Sequence, residues 1–397
     1  MNNIQKELSR LNPWWEKGGQ KEIDKKKLIS RKKYINRLTT NKKIIDIITG
    51  ARRVGKTSIL YTTIKHLLKK IDQKKILYFT AEIRVLEKLT IHEIISDYMS
   101  IFSFSKKDQL FIFIDEIQDI PSWQEEIKYL YDTTDFKIFL SGSSSVLLKK
   151  QTAKLTGRFA LHHILPLSFS DYLLFTKQKI TIKNQWKITE KYLQDGGYPE
   201  FVLHKNEESL RQIVESTLYR DLLSLYGIRN PALLKELFAF LCDKITTPVS
   251  ANRIGKNLKI DTQTAQSYLQ YLIDAYLVYP LYKKGSSHRI IKSSLPKYYL
   301  GDTGILRVFS LQPRIGHLAE NATYLHLLRN FPGERPEIFY DFIDEIEVDF
   351  CIKKDFFEVK IGKEITNPLE KLIYITDEID HKLEVRQKRL GDFLLSE

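Results

Sequence analysis

The sequence predicts an α/β fold: a parallel sheet covered by helices, then a helical stretch, then a smaller α/β module. Three observations predict it. The octet Gly50-Ala51-Arg52-Arg53-Val54-Gly55-Lys56-Thr57 satisfies the pattern G-x-x-x-x-G-K-[ST] of a phosphate-binding loop. The apolar run Leu110-Phe111-Ile112-Phe113-Ile114 ends in Asp115-Glu116, as a parallel strand buried on both faces and tipped with carboxylates should read. Around these two, short apolar runs alternate with stretches whose apolar residues recur every three or four positions, the rhythm of strand–helix units.

The octet lies between Ile44-Ile45-Asp46-Ile47-Ile48, read as a strand, and an amphipathic stretch from Ser58, read as a helix. Residues Gly50, Ala51, Arg52, Arg53, Val54, Gly55, Lys56, Thr57 and Ser58 form the expected nucleotide-binding set. Backbone N–H groups of the loop would cradle the α- and β-phosphates, Lys56 would reach the β- and γ-phosphates, and the Thr57 hydroxyl would ligate Mg²⁺. The helix N-terminus adds the positive end of its dipole. ATP and Mg²⁺ are the cofactors this implies.

Leu60, Ile64, Leu67, Leu68 and Ile71 carry the helix forward, with Lys69-Lys70 in its last turn where cations suit the dipole. Ile76-Leu77-Tyr78-Phe79 reads as a short buried strand and Ile91 to Phe102 as a helix. At the tip of the 110–114 run, Asp115 is placed to hold Mg²⁺ through water and Glu116 to polarise the attacking water, since phosphoryl transfer is mostly positioning and charge stabilisation. Ile138-Phe139-Leu140 is a third buried strand, ending in Ser141-Gly142-Ser143-Ser144-Ser145. Ser141 is the favoured sensor of the γ-phosphate, a neighbouring serine its rival and a simple glycine-serine turn the alternative. Gly157-Arg158 supplies an arginine expected to answer transition-state charge, in cis or across a subunit boundary.

Taken together, Gly-Ala-Arg-Arg-Val-Gly-Lys-Thr, Phe-Ile-Asp-Glu-Ile-Gln, Leu-Ser-Gly-Ser-Ser-Ser and Gly-Arg-Phe, closed by Leu165-Pro166-Leu167-Ser168-Phe169, resemble a family of AAA+-related ATPases of bacteria and archaea. Its members carry a C-terminal domain of unknown function, and the resemblance runs from about residue 30 to the end. It implies an AAA+-like P-loop NTPase that hydrolyses ATP, with Ser141 at the sensor position and Arg158 as finger or sensor arginine. The family's loop usually begins Gly-Pro-Arg-Arg; Ala51 departs from that and leaves the glycines and Lys56-Thr57 intact. Leu193 to Glu200, with Gly196-Gly197-Tyr198-Pro199, and Tyr219-Arg220-Asp221 also match, and are read as lid packing ahead of nucleotide contact.

Residues 248–300 read as a winged helix-turn-helix. Ser250 can cap a helix carrying Ile254 and Leu258, and Asp261 another carrying Ala265, Tyr268, Leu269, Leu272 and Ile273. Leu277 to Tyr282 would lead into a wing, Lys283 to Lys297, that holds five basic residues and no acidic one. Thr262, Gln263, Thr264 and Gln266 would face outward where a recognition helix meets base edges, with Lys283, Lys284, Arg289 and Lys292 on phosphates. A protein-docking or lid role is the alternative.

The last segment carries Glu320-Asn321, Glu347-Val348-Asp349-Phe350 and Phe357-Glu358-Val359-Lys360. Two short strands with an acid, then acid-x-lysine, resemble the PD-(D/E)xK core of restriction-endonuclease-like domains, which the family's C-terminal domain is thought to share. That resemblance implies a second metal site: Asp349 and Glu358 holding Mg²⁺, Glu320 completing the shell, and Lys360 positioning or deprotonating water. The alternative is a set of charges paired on a solvated sheet edge.

The expected organisation is therefore a basic segment at 1–43 packing on the ATPase, an AAA+-like core at 44–170, a helical lid or linker at 171–245, a winged helix at 246–305 and a nuclease-like domain at 306–397. A chain of 397 residues suits several domains. The formal charge of +14 suits a polyanionic partner, and residues 1–43 hold thirteen Lys or Arg against four Asp or Glu. Asn12-Pro13-Trp14-Trp15 within that segment is expected to pack on the ATPase body, with base stacking as the rival. Two distant cysteines, Cys242 and Cys351, argue against a disulfide framework or zinc site and fit a reducing cytoplasm. No apolar run approaches the ~18 residues of a membrane span, and the N-terminus is too polar for a signal peptide.

The functional expectation is a cytoplasmic ATPase whose nucleotide state switches a C-terminal module, with DNA, a protein or a second copy of the chain as partner. The rival readings are an ATP-licensed Mg²⁺-dependent DNA nuclease and a non-enzymatic signalling or scaffold switch.

Overall fold

A computed structural model of the chain describes residues 3–26, 28–40, 42–83, 89–142, 155–285, 295–331, 337–366 and 368–396. The chain divides into two units, Met1–Ile164 and Leu165–Glu397. The division falls inside the span expected from sequence to form the ATPase core.

The first unit is built on five parallel strands: β1 (Ile45–Gly50), β2 (Ile76–Thr80), β3 (Phe111–Asp115), β4 (Lys137–Gly142) and β5 (Phe159–Ile164). Their order is β2-β3-β4-β1-β5, so β4 separates the strand that leads into the phosphate loop from the strand that ends in Asp115. All six residues of β1 are buried, which is why that strand shows no polar–apolar alternation. The register sets Ile48 beside Ser141 and Ile114 beside Leu140. The C-terminal tips of β1, β3 and β4 therefore line one edge, where ligands of open α/β sheets bind.

Described helices of this unit are α1 (Asn3–Leu11), α2 (Gln20–Lys25), α3 (Lys32–Leu38), α4 (Lys56–Leu67), α5 (Ile91–Phe102) and α6 (Trp123–Thr133). Helix α5 has the bounds its periodicity predicts. Thr90 accepts from the Glu93 N–H at 3.1 Å while Glu93 accepts from the Thr90 N–H at 2.8 Å, closing its first turn. Helix α4 starts at Lys56, two residues before the predicted Ser58. Gly55, at φ +97°, turns the loop straight into the helix.

Strand β2 is an edge strand, and the N-terminal segment covers it. The Asn12 amide pairs with both backbone groups of Tyr78, donating to its carbonyl at 2.8 Å and accepting from its N–H at 2.6 Å. Both indole N–H groups, of Trp14 and Trp15, donate to the Ile76 carbonyl at 3.1 and 2.8 Å. Trp15 also stacks on Tyr98 of α5 at 5.4 Å. The two tryptophans are thus buried against the sheet, as expected. Asn12, which the sequence did not single out, stands in for a missing strand neighbour.

In the second unit a helical stretch leads to the antiparallel pair β6 (Val278–Leu281) and β7 (Lys297–Leu300). A five-stranded sheet follows, formed by β8 (Ile338–Ile343), β9 (Ile346–Ile352), β10 (Asp355–Lys360), β11 (Leu372–Thr376) and β12 (Arg386–Arg389), in the order β12-β11-β10-β9-β8. Helices Ala251–Leu258 and Thr262–Asp274 precede β6 and are capped as predicted. Ser250 accepts from the Arg253 N–H at 3.1 Å and Asp261 from the Thr264 N–H at 2.8 Å.

The Gly196-Gly197 motif receives a packing explanation. Buried Asp302 accepts from the Gly197 N–H at 2.6 Å and from the Ile305 N–H at 3.0 Å, so one carboxylate both caps a helix and fixes the turn. A Cβ on Gly196 would stand 2.3 Å from that carboxylate, so the position excludes a side chain. The packing reading of Tyr219-Arg220-Asp221 is corrected. These residues lie on a π-helical turn, Thr217–Leu222, with Tyr219 and Arg220 exposed and Leu218 and Leu222 buried. Cys242 and Cys351 are buried free thiols, and among the described residues no helix is long and apolar enough to cross a membrane.

Asn12→Ala should cost about 2–4 kcal/mol in urea unfolding, because it leaves both backbone groups of Tyr78 without their partner. Truncation of a solvent-exposed side chain of the same helix region, such as Lys6→Ala, should cost under about 0.5 kcal/mol.

Candidate functional site

The candidate site lies at the C-terminal edge of the first unit's sheet. Gly50 ends β1 where a Cβ would stand 2.3 Å from the Ile164 carbonyl, so only glycine lets the chain leave the strand there. Ala51 and Val54 are buried and pin the loop to the unit, while Arg53 takes a left-handed φ of +60° and Arg52 and Arg53 face outward or partly outward. Lys56 is buried on the first turn of α4, its ammonium donating to the carbonyls of Gly50 at 3.1 Å and Ala51 at 3.0 Å. Thr57 and Ser58 follow on the exposed face of that turn.

Asp115, 3% exposed, ties the site together. Its Oδ2 accepts from Thr57 Oγ1 at 2.7 Å and from the Tyr78 hydroxyl at 3.1 Å, and its Oδ1 accepts from Ser141 Oγ. The loop helix and strands β2 and β4 thereby meet on one carboxylate at the tip of β3. Burial and the Asp115 charge together push the Tyr78 hydroxyl far above the ordinary tyrosine range, so it stays a donor.

Glu116 is held in the left-handed region at φ +51°, an uncommon conformation for a residue with a side chain. Its carboxylate accepts from Gln118 Nε2 at 2.7 Å, and its N–H donates to Ser141 Oγ at 3.4 Å. The structure therefore brings Lys56, Thr57, Asp115, Glu116 and Ser141 to one edge. Ser143, Ser144 and Ser145 lie outside the described residues.

Arg158 requires a correction. It precedes β5, whose Phe159 lies beside Ile45 and whose Ile164 lies beside Gly50. Six residues of strand put Arg158 about 20 Å from the loop, at the opposite edge of the sheet. There it pairs with Asp132 at 2.9 Å. An action in cis on this chain's nucleotide is ruled out, because a glycine-arginine step just before a strand begins at the wrong end of a parallel sheet.

The AAA-domain family matches residues 42–173, and a domain family of unknown function matches residues 187–314. An uncharacterized protein of Methanocaldococcus jannaschii is 30% identical over 354 residues, covering 83% of this chain and 77% of that one. The chain belongs to this family of AAA-domain proteins. An uncharacterized protein of Haemophilus influenzae is 26% identical over 375 residues, 89% of this chain and 92% of its own length. Among solved structures, the Aeropyrum pernix ORC1 protein in complex with DNA matches 74% of this chain and 92% of its own at 13% identity. Its TM-score of 0.34 is too low for that likeness to bear on function. The AAA match makes the first unit an ATP-binding, ATPase-like module, and the site just described is where its motif residues converge.

The second unit of this AAA-domain protein gathers the other predicted carboxylates. Glu320, Glu347 and Asp349 surround the ammonium of Lys297, which is 1% exposed and stands 2.5 Å from Glu347, 3.4 Å from Asp349 and 3.6 Å from Glu320; Glu358 accepts from the Asp349 N–H at 3.3 Å. Lys360 pairs with Glu358 at 2.7 Å. Tyr299 donates to Glu320 at 2.7 Å. The sequence placed Lys297 at the end of a basic wing; it is buried against these carboxylates. Of the expected metal set Asp349, Glu358 and Glu320, Asp349 and Glu320 face Lys297 and Glu358 faces Lys360. Among the described residues no group of three or more His, Cys, Asp or Glu is placed to hold a metal ion.

Lys283 and Lys284 are exposed, with their ammonium groups over the rings of Phe342 at 4.7 Å and Phe356 at 4.7 Å. Arg289 and Lys292 lie outside the described residues. Tyr78, Gln118 and Lys297 are the site residues that sequence reasoning missed. Only Gln118 had a signal, two positions after Glu116; Tyr78 and Lys297 read as an ordinary strand residue and an ordinary basic residue.

Burial, then the Asp349 charge, raise Glu320 to about 8 and Glu358 to about 7, against an ordinary 4.5. An acid raised by folding stabilises the fold fully below its unfolded pKa, and that stability is lost as pH rises through the folded one. The melting temperature should therefore fall between about pH 5 and pH 9, and Glu320→Gln should flatten the fall, as read by a thermal melt at each pH.

Proposed function

We propose that this protein is an ATP-hydrolysing switch, in which Lys56, Thr57, Asp115, Glu116 and Ser141 read and cleave the nucleotide and the second unit carries the load. The observation that supports it is the sharing of one buried carboxylate, Asp115, among Thr57, Tyr78 and Ser141. A change at the phosphates is then felt at once by the loop helix and by two neighbouring strands. The oxygen donors Thr57 Oγ1 and Asp115 Oδ2 suit a hard divalent cation, so Mg²⁺ would be held there and would neutralise charge on the β- and γ-phosphates. Lys56 would exchange its loop carbonyls for phosphate oxygens, and Glu116, oriented by Gln118, would take the proton of the attacking water.

For the load, DNA is the favoured ligand. Helices Ala251–Leu258 and Thr262–Asp274 followed by the antiparallel pair β6–β7 support a winged-helix reading, with Thr262, Gln263 and Gln266 on an exposed face. Thr262 and Gln263 begin the second helix, where base edges would be met. Exposed Lys283 and Lys284 lie just beyond β6, where phosphates would be met. The net charge of +14 points the same way.

Lys56→Ala should abolish ATP binding in an equilibrium titration. Glu116→Gln should bind ATP like the wild type and turn it over about 100-fold more slowly in a phosphate-release assay; wild-type turnover by Glu116→Gln removes the general-base role. DNA should stimulate turnover of the wild type in low salt and lose that effect in Lys283→Ala/Lys284→Ala. Turnover that no DNA changes, with salt-insensitive binding to a protein partner, would replace DNA with a protein load.

A further inference from the structure

We propose that the ammonium of Lys297 is the resident cation of the Glu320–Glu347–Asp349–Glu358 cluster, standing where a divalent metal would otherwise be needed. The sheet of the second unit then keeps its acidic set together without metal and does not cut phosphodiesters. The inference is independent of the ATPase reading, since every residue it uses lies in the second unit.

A lysine ammonium has three N–H donors and no acceptor, and here three carboxylates stand around it. A lysine almost fully removed from water is strongly disfavoured unless such partners compensate. Lys297 is the first residue of β7, so its backbone is fixed by pairing with β6, and the side chain is delivered to the cluster from outside the sheet that carries Glu347, Asp349 and Glu358, while Glu320 comes from the helix Ile315–Asn330. Carboxylates that bind one divalent cation must turn their oxygens to a common point about 2.0–2.6 Å away. Here the common point of Glu320, Glu347 and Asp349 is the ammonium itself, and the other oxygen of Asp349 and both of Glu358 turn elsewhere. Asp349 Oδ1 faces Lys297 while its Oδ2 accepts from the Val359 N–H at 2.9 Å. Glu358 Oε1 is taken by Lys360 and its Oε2 accepts from the Asp349 N–H at 3.3 Å. Glu347, which no metal reading had included, makes the shortest contact with the ammonium.

The alternative is that Lys297 sits near a metal site and leaves it functional, and a metal titration separates the two. The experiment uses nucleotide-free full-length chain carrying Thr57→Ala, so that the phosphate loop contributes no metal ligand. Mn²⁺ uptake is followed by electron paramagnetic resonance of the free ion. In this background, uptake sensitive to Asp349→Asn should be absent, whereas Lys297→Ala should take up one equivalent and lose it again when combined with Asp349→Asn. Uptake by the Lys297-containing chain that Asp349→Asn removes overturns the proposal, as does Lys297→Ala that gains none.

Because Lys297→Ala leaves buried carboxylates without their cation, its melting temperature is measured with and without Mn²⁺. Mn²⁺ at about 100 times its Kd should raise the melting temperature of Lys297→Ala by about 5 °C and leave that of the Lys297 chain unchanged. A Lys297→Ala chain that neither Mn²⁺ nor Mg²⁺ stabilises refutes the substitution of ammonium for metal. Incubated with Mn²⁺ and plasmid or linear DNA, the wild type should leave both intact; cleavage lost in Asp349→Asn would show a working metal centre instead.

Discussion

Everything at the nucleotide edge depends on one buried carboxylate. Asp115 ends β3 with a side chain that accepts from Thr57, Tyr78 and Ser141, and these come from the loop helix and from strands β2 and β4. A buried charge is tolerated only where donors surround it, and here the donors are the groups whose positions the site must fix. The constraint runs both ways: the strand order β2-β3-β4-β1-β5 is what brings those three donors to Asp115. It also separates Asp115 from β1 by one strand, the width that α4 must bridge for Thr57 to arrive. Glu116 then follows in a left-handed conformation that turns the chain off the strand tip and aims its carboxylate at Gln118.

The same physics recurs in the second unit with another outcome. The three carboxylates around Lys297 would repel one another without it, and burial sharpens both the repulsion and the attraction. In the nucleotide site the surrounding donors are neutral hydroxyls, so an additional cation can still be drawn to Asp115. Around Asp349 the cation is already part of the chain. The two acidic sites differ in where their lysine points: Lys56 donates to the loop carbonyls of Gly50 and Ala51, whereas Lys297 is delivered from β7 onto the carboxylates themselves.

Polar satisfaction also explains the ends of the first sheet. An edge strand exposes backbone groups that invite another chain, and β2 has its groups occupied by the Asn12 amide and the Trp14 and Trp15 indoles. The basic character of residues 1–43 is carried by the exposed faces of short helices whose buried residues, Leu8, Ile23, Tyr34, Ile35 and Leu38, hold them to the unit. The segment is thus part of the first unit's fold, with its charge left to the surface.

By itself the sequence determined the strand–loop–helix around Gly50 to Thr57, the buried strand ending in Asp115, and the serine at the tip of β4. Each rests on local chemistry: a glycine where backbone must pass close, an all-apolar run where both faces are covered, a polar tip where the strand ends. It also determined the caps at Ser250 and Asp261, because a cap is made within four residues. The tertiary structure alone decided which strands are neighbours, and so sent Arg158 to the far edge and Tyr78 to Asp115. It alone decided that Lys297, one basic residue among five in its stretch, is buried among acids contributed by residues 23 to 52 positions away. Such pairings depend on strand order and on burial, and neither is encoded in the spacing of residues along the chain.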